Sequence, residues 1–304
     1  MDKSSLRIVF FGTPDFAVAS LQAVVAAGYQ VVAVVTAPDK ASGRGLKIQS
    51  PPVKIAAQSL GIPVLQPEKL KSPDFIETLK SFHADLQIVI AFRMLPEIVW
   101  NMPKMGTFNL HASLLPAYRG AAPINHVIIN GETETGVSTF FLQHAIDTGN
   151  ILLQEKVKID SNDNAGSLHD KLMEIGSKLV VKTLDAILSN TTQAIPQPQG
   201  EFPEAPKIFT ETCFINWHQP ALIVHNLVRG LSPYPAAFTE FKGKKLKVFE
   251  TKLTDEKSEN SGIIQADEQG RLMAHCSDFK LELLSVQPEG KKRMSAKDFL
   301  NGLR

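Results

Sequence analysis

The amino-acid sequence predicts an α/β protein with two parts, a Rossmann-like domain followed by a smaller β-barrel domain. From residue 7 to about residue 190, short apolar runs alternate with amphipathic helical segments. This alternation is typical of a parallel sheet that is covered by helices on both faces. Beyond a proline-rich stretch, short strand-like segments separated by turns predominate, which predicts a small barrel.

The first repeat of the alternation is a strand, a turn and a helix. An apolar run at residues 7–11 ends at Gly12, and residues 15–27 show a helical pattern that ends at a glycine. We predict that Thr13 caps this helix and that Pro14 is its first residue. The turn lacks the Gly-x-Gly-x-x-Gly motif, which argues against a dinucleotide site.

The later elements follow from the same periodicities. In the first part we predict strands at residues 30–36, 86–91, 107–111 and 136–143, and helices at residues 52–60, 74–82 and 167–189. In the last part we predict a helix at residues 220–230 and strands at residues 237–241, 246–252 and 281–287. Four prolines lie among polar residues between them, as in an extended tether. We therefore expect a first domain at residues 1–189, a linker at residues 190–207 and a second domain at residues 208–304.

Composition excludes several classes of protein. With 32 basic and 31 acidic residues the formal net charge is +1, so a polyanionic partner would have to bind a local patch. The two cysteines are far apart in sequence, which argues against a disulfide framework and a thiolate metal site. No apolar stretch approaches twenty residues, and the first residues show no signal-peptide pattern. We expect a soluble, cytoplasmic protein without a membrane anchor.

The most informative segment contains Asn109 and His111 two residues apart, with Asp147 further along the chain. In a strand, Asn109 and His111 point to the same face, while the two apolar residues beside them point into the core. An amide donor, an imidazole and a carboxylate at strand ends suit a reaction that builds negative charge on a carbonyl oxygen. The pattern therefore favours an acyl-type transfer. A structural histidine, and an aspartate that caps its own turn, are the simpler alternatives.

Three basic clusters are candidate phosphate contacts. The first is a long connection between a strand and a helix, and the other two lie in the presumed barrel. Their members are Lys40, Arg44 and Lys47 in the connection, Lys244 and Lys245 in the second cluster, and Lys291 and Lys292 in the third. The simpler alternative for each cluster is an ordinary solvated basic surface.

Taken together, these residues resemble the folate-dependent formyltransferases over almost the whole chain. Asn109, His111 and Asp147 fall on the catalytic Asn, His and Asp of that family. Its folate-binding turn corresponds to Ser113, Leu114, Leu115 and Pro116. The resemblance implies a formyl donor, 10-formyltetrahydrofolate, and no metal. Because relatives that act on glycinamide ribonucleotide or UDP-aminosugars share this core, the core itself does not name the acceptor.

Other segments resemble the branch of the family that acts on aminoacylated initiator tRNA. They are residues 12–16, the loop around Arg44, and residues 290–296. This resemblance implies that the Arg44 loop enters the acceptor-stem end and that the last domain is an OB-type barrel resting on the tRNA. One departure lies at residues 91–96, where Arg93 borders the family's pterin pocket and puts the local pocket shape in question. We expect a monomer.

The resemblance also implies a mechanism without a covalent enzyme intermediate, because the acceptor amine is itself the nucleophile. Asn109 and His111 would donate hydrogen bonds to the developing oxyanion. Asp147 would orient His111 and relay the proton from the amine to N10. Two rival classes explain less of the sequence. A nicotinamide-dependent oxidoreductase would need the absent glycine motif, and a non-catalytic RNA-binding module would leave Asn109, His111 and Asp147 without a role.

Overall fold

The computed structural model describes residues 2–42 and 47–302 of the chain. The chain forms two compact units, and each is built from several stretches of sequence. The first unit comprises Met1–Arg119, Gly136–Val157 and Asp170–Pro203. The second comprises Gly120–Thr135, Lys158–His169 and Glu204–Arg304. The contiguous division at residues 1–189, 190–207 and 208–304 stays a prediction.

The secondary structure follows the predicted alternation closely. Up to residue 111 the elements are β1 (Arg7–Gly12), α1 (Asp15–Ala26), β2 (Gln30–Val35), β3 (Lys40–Ser42), β4 (Lys47–Gln49), α2 (Pro52–Ser59), β5 (Val64–Leu65), α3 (Pro73–Ser81), β6 (Leu86–Ile90), α4 (Glu97–Trp100) and β7 (Thr107–His111). The next are β8 (Arg119–Gly120), α5 (Pro123–Ile129), β9 (Glu134–Phe141), β10 (Ile151–Lys158), α6 (Ala165–Leu188) and β11 (Glu204–Ala205). The last are α7 (Ala221–Leu231), β12 (Ala237–Phe241), β13 (Lys244–Lys257), β14 (Ile264–Ala266), β15 (Leu272–His275), β16 (Phe279–Pro288), β17 (Met294–Ser295) and α8 (Ala296–Asn301).

A seven-stranded sheet forms the centre of the first unit, in the order β10-β9-β7-β6-β1-β2-β5. The strands from β5 to β7 in this order pair in parallel. The apolar runs are buried on both faces, as Phe10, Ile88 and Phe108 show with no exposed surface. The expectation of a parallel sheet is wrong at β9, which pairs antiparallel with β7. Local periodicity does not encode the direction of a strand, so only the tertiary pairing shows this.

The turn between β1 and α1 depends on close approach. A side chain at Gly12 would place its Cβ 2.7 Å from the Cβ of Ala17 and 2.9 Å from the Phe10 ring. Glycine therefore lets the end of the strand pack directly against the helix. The predicted cap is wrong by one residue, because Pro14 is the N-cap, without a side-chain hydrogen bond, and the helix begins at Asp15.

The second unit contains an antiparallel sheet in the order β12-β13-β16-β15-β14, with β17 paired to β16. Its core includes Val224 and Val228 of α7 together with Val248 and Leu283 of the sheet. Trp217 is buried in the same core and donates a hydrogen bond from Nε1 to Thr239 Oγ1 at 2.9 Å. None of the described helices combines the length and apolarity that a membrane crossing requires.

Candidate functional site

Strand β7 carries the first two residues of the candidate site at its carboxyl end. The strand covers the predicted residues, Thr107–His111, and Phe108 and Leu110 are buried as the alternation requires. Asn109 is half-buried, and its side-chain amide has no hydrogen-bond partner among the described residues. Because ligands of open α/β sheets bind at the carboxyl ends of strands, this amide is positioned to donate to a bound molecule.

The imidazole of His111 is buried and held by the backbone. Its Nε2 lies 2.8 Å from the carbonyl oxygen of Tyr118. Because a carbonyl oxygen only accepts, Nε2 carries a hydrogen in this arrangement. The other ring nitrogen, Nδ1, lies 3.9 Å from Oδ2 of Asp147. The structure thus brings His111 and Asp147 together and leaves Nδ1 as the nitrogen available for chemistry.

Asp147 lies in a tight loop that packs against strand β9. Its φ is +54°, a left-handed conformation that aspartate tolerates better than most residues. Two residues later, a Cβ on Gly149 would lie only 1.6 Å from the carbonyl oxygen of Phe141, so this loop has no room for a side chain there. Thr148 Oγ1 donates to the carbonyl oxygen of Ala145 at 3.0 Å. Packing and local hydrogen bonds therefore fix the backbone position from which the Asp147 carboxylate projects.

The predicted folate-binding turn follows β7 directly. Ser113 and Leu115 are buried, whereas Leu114 and Pro116 are half-buried. The Ser113 hydroxyl donates to the carbonyl oxygen of Ala117 at 2.7 Å. The two buried residues thus shape the turn from within, and Leu114 and Pro116 present side-chain surface that an aromatic or aliphatic ligand could contact.

Two polar residues that the sequence analysis did not single out fix this turn. The Ser138 hydroxyl accepts from the amide of Leu115 at 3.1 Å and donates to the carbonyl oxygen of Ser113 at 2.6 Å. Gln154 donates from Nε2 to the Leu115 carbonyl oxygen at 3.0 Å. These contacts join residues far apart in sequence, so periodicity gives no signal for them.

Arg93, the departure from the family pattern, is tied to the backbone of a neighbouring loop. Its guanidinium donates to the carbonyl oxygen of Glu68 at 2.8 Å and to that of Pro67. The guanidinium carbon also lies 5.7 Å from the ring centroid of Phe92. Arg93 therefore links the loop that follows β6 to the loop that follows β5.

The two basic clusters of the second unit meet at one end of the paired strands β13 and β16. The first residues of β13 lie beside the last residues of β16, where the amide of Glu289 donates to the carbonyl oxygen of Lys245 at 2.9 Å. Lys244 and Lys245 are exposed there, as are Lys291 and Lys292 in the turn that follows β16. Antiparallel pairing thus brings two pairs of lysines, about 45 positions apart in sequence, to one end of the sheet, here called the lysine patch. Within it, Lys244 and Lys245 point to opposite faces of β13, as neighbours in a strand do.

The remaining predicted phosphate contacts belong to the first unit. Lys40 is exposed at the start of β3, opposite Gln49 of β4. Lys47 begins β4, and Arg44 lies outside the described residues. Among the described residues, no group of three or more His, Cys, Asp or Glu side chains is arranged to hold a metal ion. The expectation of a metal-free reaction stays a prediction.

Comparison with known proteins defines the class to which this fold and site belong. Residues 6–184 match the formyl transferase family, and residues 207–304 match the C-terminal domain of formyl transferases. The chain belongs to the formyl transferase family. Among individual proteins, it is 52% identical to the methionyl-tRNA formyltransferase of Bacteroides fragilis, over 99% of this chain and 96% of the relative. It is 53% identical to that of Parabacteroides distasonis, over 100% and 98%.

The similarity to solved structures concerns the fold. A sugar 3N-formyl transferase, solved in the presence of dTDP and 5-N-formyl-THF, matches with a TM-score of 0.70 and 22% identity. The match covers 94% of this chain and 99% of that one. The predicted fold class, a Rossmann-like α/β domain followed by an OB-like antiparallel domain, is therefore confirmed, as is membership of the predicted family.

Proposed function

We infer that the protein transfers the formyl group of 10-formyltetrahydrofolate to the α-amino group of methionyl initiator tRNA. The observation that carries the reaction is the arrangement in the first unit, where Asn109 stands two residues from His111, with Asp147 next to the imidazole. Within the described part of the chain, no residue hydrogen-bonds to the side-chain amide of Asn109. The acceptor is supported by similarity over nearly the full length to methionyl-tRNA formyltransferases. A folate-derived donor is supported by family membership.

Asn109 and His111 would stabilise the oxyanion that forms when the amine attacks the formyl carbon. Asn109 donates from its side-chain amide. His111 donates from Nδ1, because Nε2 is already bonded to the carbonyl oxygen of Tyr118. Preorganised donors of this kind are each worth about 100-fold or more in turnover. Neither cysteine is used, since Cys213 and Cys276 are both buried in the second unit.

Asp147 would accept the proton that the amine loses and return it to the folate. Its carboxylate, 3.9 Å from His111 Nδ1, stabilises the imidazolium and takes the proton that the amine loses on attack. The same proton is returned to N10 of the folate as the carbon–nitrogen bond to the formyl group breaks. The products are the N-formylated amine and tetrahydrofolate, with no net change in protonation of the protein.

The donor would contact the turn after β7. The half-buried side chains of Leu114 and Pro116 offer apolar surface, while Ser113 and Leu115 hold the shape of the turn from inside. These residues fit a flat, partly apolar ring system, and the Asn109 amide fits its formyl oxygen.

The tRNA would be bound mainly through its phosphates. The patch of Lys244, Lys245, Lys291 and Lys292 offers four exposed lysines at one end of the paired strands β13 and β16. In the first unit, Lys40, Arg44 and Lys47 are the proposed contacts to the acceptor end. Phosphate contacts of this kind position the nucleic acid without reading its sequence. The expectations of a monomer and of a cytoplasmic location stay predictions.

A single assay tests the acceptor. The purified protein is given 10-formyltetrahydrofolate with, in turn, aminoacylated initiator tRNA, glycinamide ribonucleotide and a UDP-aminosugar, and formylated product is measured by mass. We expect formylated product with aminoacylated initiator tRNA and with neither of the two small acceptors. Product with either small acceptor and none with the tRNA would contradict the proposal, and binding of RNA without any formyl transfer would favour a non-catalytic module.

A further inference from the structure

The segment at residues 195–203, which the sequence assigns to an extended linker, is bonded to the candidate site. Ile195 and Ile151 exchange two backbone hydrogen bonds of 2.8 Å, so the start of the segment is paired with strand β10. At its end, the carbonyl oxygen of Pro203 accepts from the amide of Tyr118. All of these residues belong to the first compact unit. The segment is therefore hydrogen-bonded at both ends to elements of the unit that contains the candidate site.

Gln197 lies between these two backbone contacts. Its side chain bonds both to the loop that carries Asp147 and to Arg119, next to the residue that holds His111. Its Nε2 donates to the carbonyl oxygens of Asp147 and Gly149, each at 2.8 Å. Its Oε1 accepts from Nε and Nη2 of Arg119, with the Nε contact at 3.1 Å. Arg119 directly follows Tyr118, whose carbonyl oxygen holds the imidazole of His111. One side chain thus uses all of its hydrogen-bonding atoms between the two loops that set the His111–Asp147 distance.

We propose that Gln197 is a positioning residue that holds the Asp147 loop at the distance from His111 that formyl transfer requires. The inference rests on the proposed function, because it assigns Gln197 a role in that reaction. Gln197 touches no reacting atom and acts through the backbone on either side of the carboxylate. We expect a measurable effect of removing the Gln197 side chain, because it donates two hydrogen bonds to the Asp147 loop. Each contributes about 1 kcal/mol to keeping the loop closed. Opening of the loop should therefore become about 30-fold more frequent without them.

The neighbouring Gln199 provides a matched control. It is the same residue type in the same proline-rich segment, but it is exposed, and none of the described hydrogen bonds involves its side chain. The test pair is Gln197→Met and Gln199→Met, which remove the amide while keeping the length of the side chain. Gln197→Glu is a third variant, because it keeps an acceptor for Arg119 and removes both donors to the Asp147 loop.

Three measurements separate positioning from a general structural role. In single-turnover formylation, Gln197→Met and Gln197→Glu should lower the rate of transfer about 10-fold or more. In steady-state assays, the KM values for donor and tRNA should stay within about 2-fold of wild type. In the unliganded protein, hydrogen exchange at the Phe141 amide, which is bonded to the carbonyl oxygen of Asn150 next to this loop, should become about 30-fold faster. Gln199→Met should change none of these quantities.

The third measurement is a double-mutant cycle in the background of Asp147→Asn. If Gln197 acts through Asp147, adding Gln197→Met to Asp147→Asn should lower the rate by no more than about 2-fold. Equal losses in both backgrounds, or rates of both Gln197 variants within about 2-fold of wild type, would overturn the inference. A wild-type protein that transferred no formyl group would instead refute the proposed function, and the exchange comparison would still decide whether Gln197 fixes the loop.

Discussion

Replacing Gly149 by alanine is expected to reduce formyl transfer by displacing the Asp147 loop. The added Cβ would lie 1.6 Å from the carbonyl oxygen of Phe141, whereas real Cβ contacts essentially never fall below 3.0 Å. The carbonyl oxygen belongs to β9, which is paired on its inner side with β7, so the loop is the part that moves. Relief of the clash thus needs a displacement of about 1.4 Å, and a misplacement of about 1 Å near reacting groups can lower a rate about 100-fold.

The assay is single-turnover formylation of methionyl initiator tRNA, accompanied by thermal unfolding to confirm that the variant is folded. Gly302→Ala is the control, because the nearest atoms to its Cβ lie at 3.5 Å, an ordinary contact. We expect a rate about 100-fold below wild type for Gly149→Ala and an unchanged rate for Gly302→Ala. A folded Gly149→Ala protein with the wild-type rate would show that the position of this loop does not control the reaction.

Three further predictions concern the patch of lysines, the loop of the first unit and a buried histidine. Lys245→Ala should weaken tRNA binding and reduce the dependence of log Kd on log salt by about one, whereas Lys252→Ala in the same strand should not, as salt titrations will show. Arg44→Ala should weaken binding of tRNA but leave the folate affinity unchanged, and an unchanged tRNA affinity would reject the proposed contact. Burial, with Arg229 nearby, lowers the pKa of His225 to about 4. The unfolded chain therefore binds the proton more readily, and stability falls as the pH drops from about 6.5 towards 4. The free energy of unfolding, measured with urea, should fall between pH 7 and pH 4.5 by about 2 kcal/mol less in His225→Asn than in wild type. Equal falls in the two proteins would contradict the lowered pKa of His225.

Periodicity predicted most of the fold because it reports on burial directly. The strand at residues 107–111 and the helices that begin near residues 52 and 74 have two-fold or 3.6-fold apolar repeats, and each lies where expected within two residues. The antiparallel direction of β9 and the cap of α1 were missed. Both depend on how a segment packs against other parts of the chain, which a local pattern does not contain.

In the candidate site, too, local patterns predicted some residues, and contacts with distant parts of the chain determine the others. Asn109 and His111 were predictable as neighbours because strand geometry alone places them on one face. Asp147 joins them through a loop with a positive φ, which strand geometry does not predict, and its catalytic role was inferred from the family resemblance. Gln197 gave no signal, since a glutamine among prolines is typical of a solvated tether. Its role in the structure comes from hydrogen bonds to residues about 50 and 78 positions away.

The most direct test of the account is the effect of Asn109→Ala on the chemical step. Single-turnover transfer from 10-formyltetrahydrofolate to methionyl initiator tRNA gives the rate, and equilibrium titration with the folate gives its affinity. If Asn109 stabilises the oxyanion, the rate should fall about 100-fold or more while the dissociation constant of the folate changes less than about 10-fold. A folded Asn109→Ala protein that transfers the formyl group at the wild-type rate would contradict the assignment of the reaction to this site.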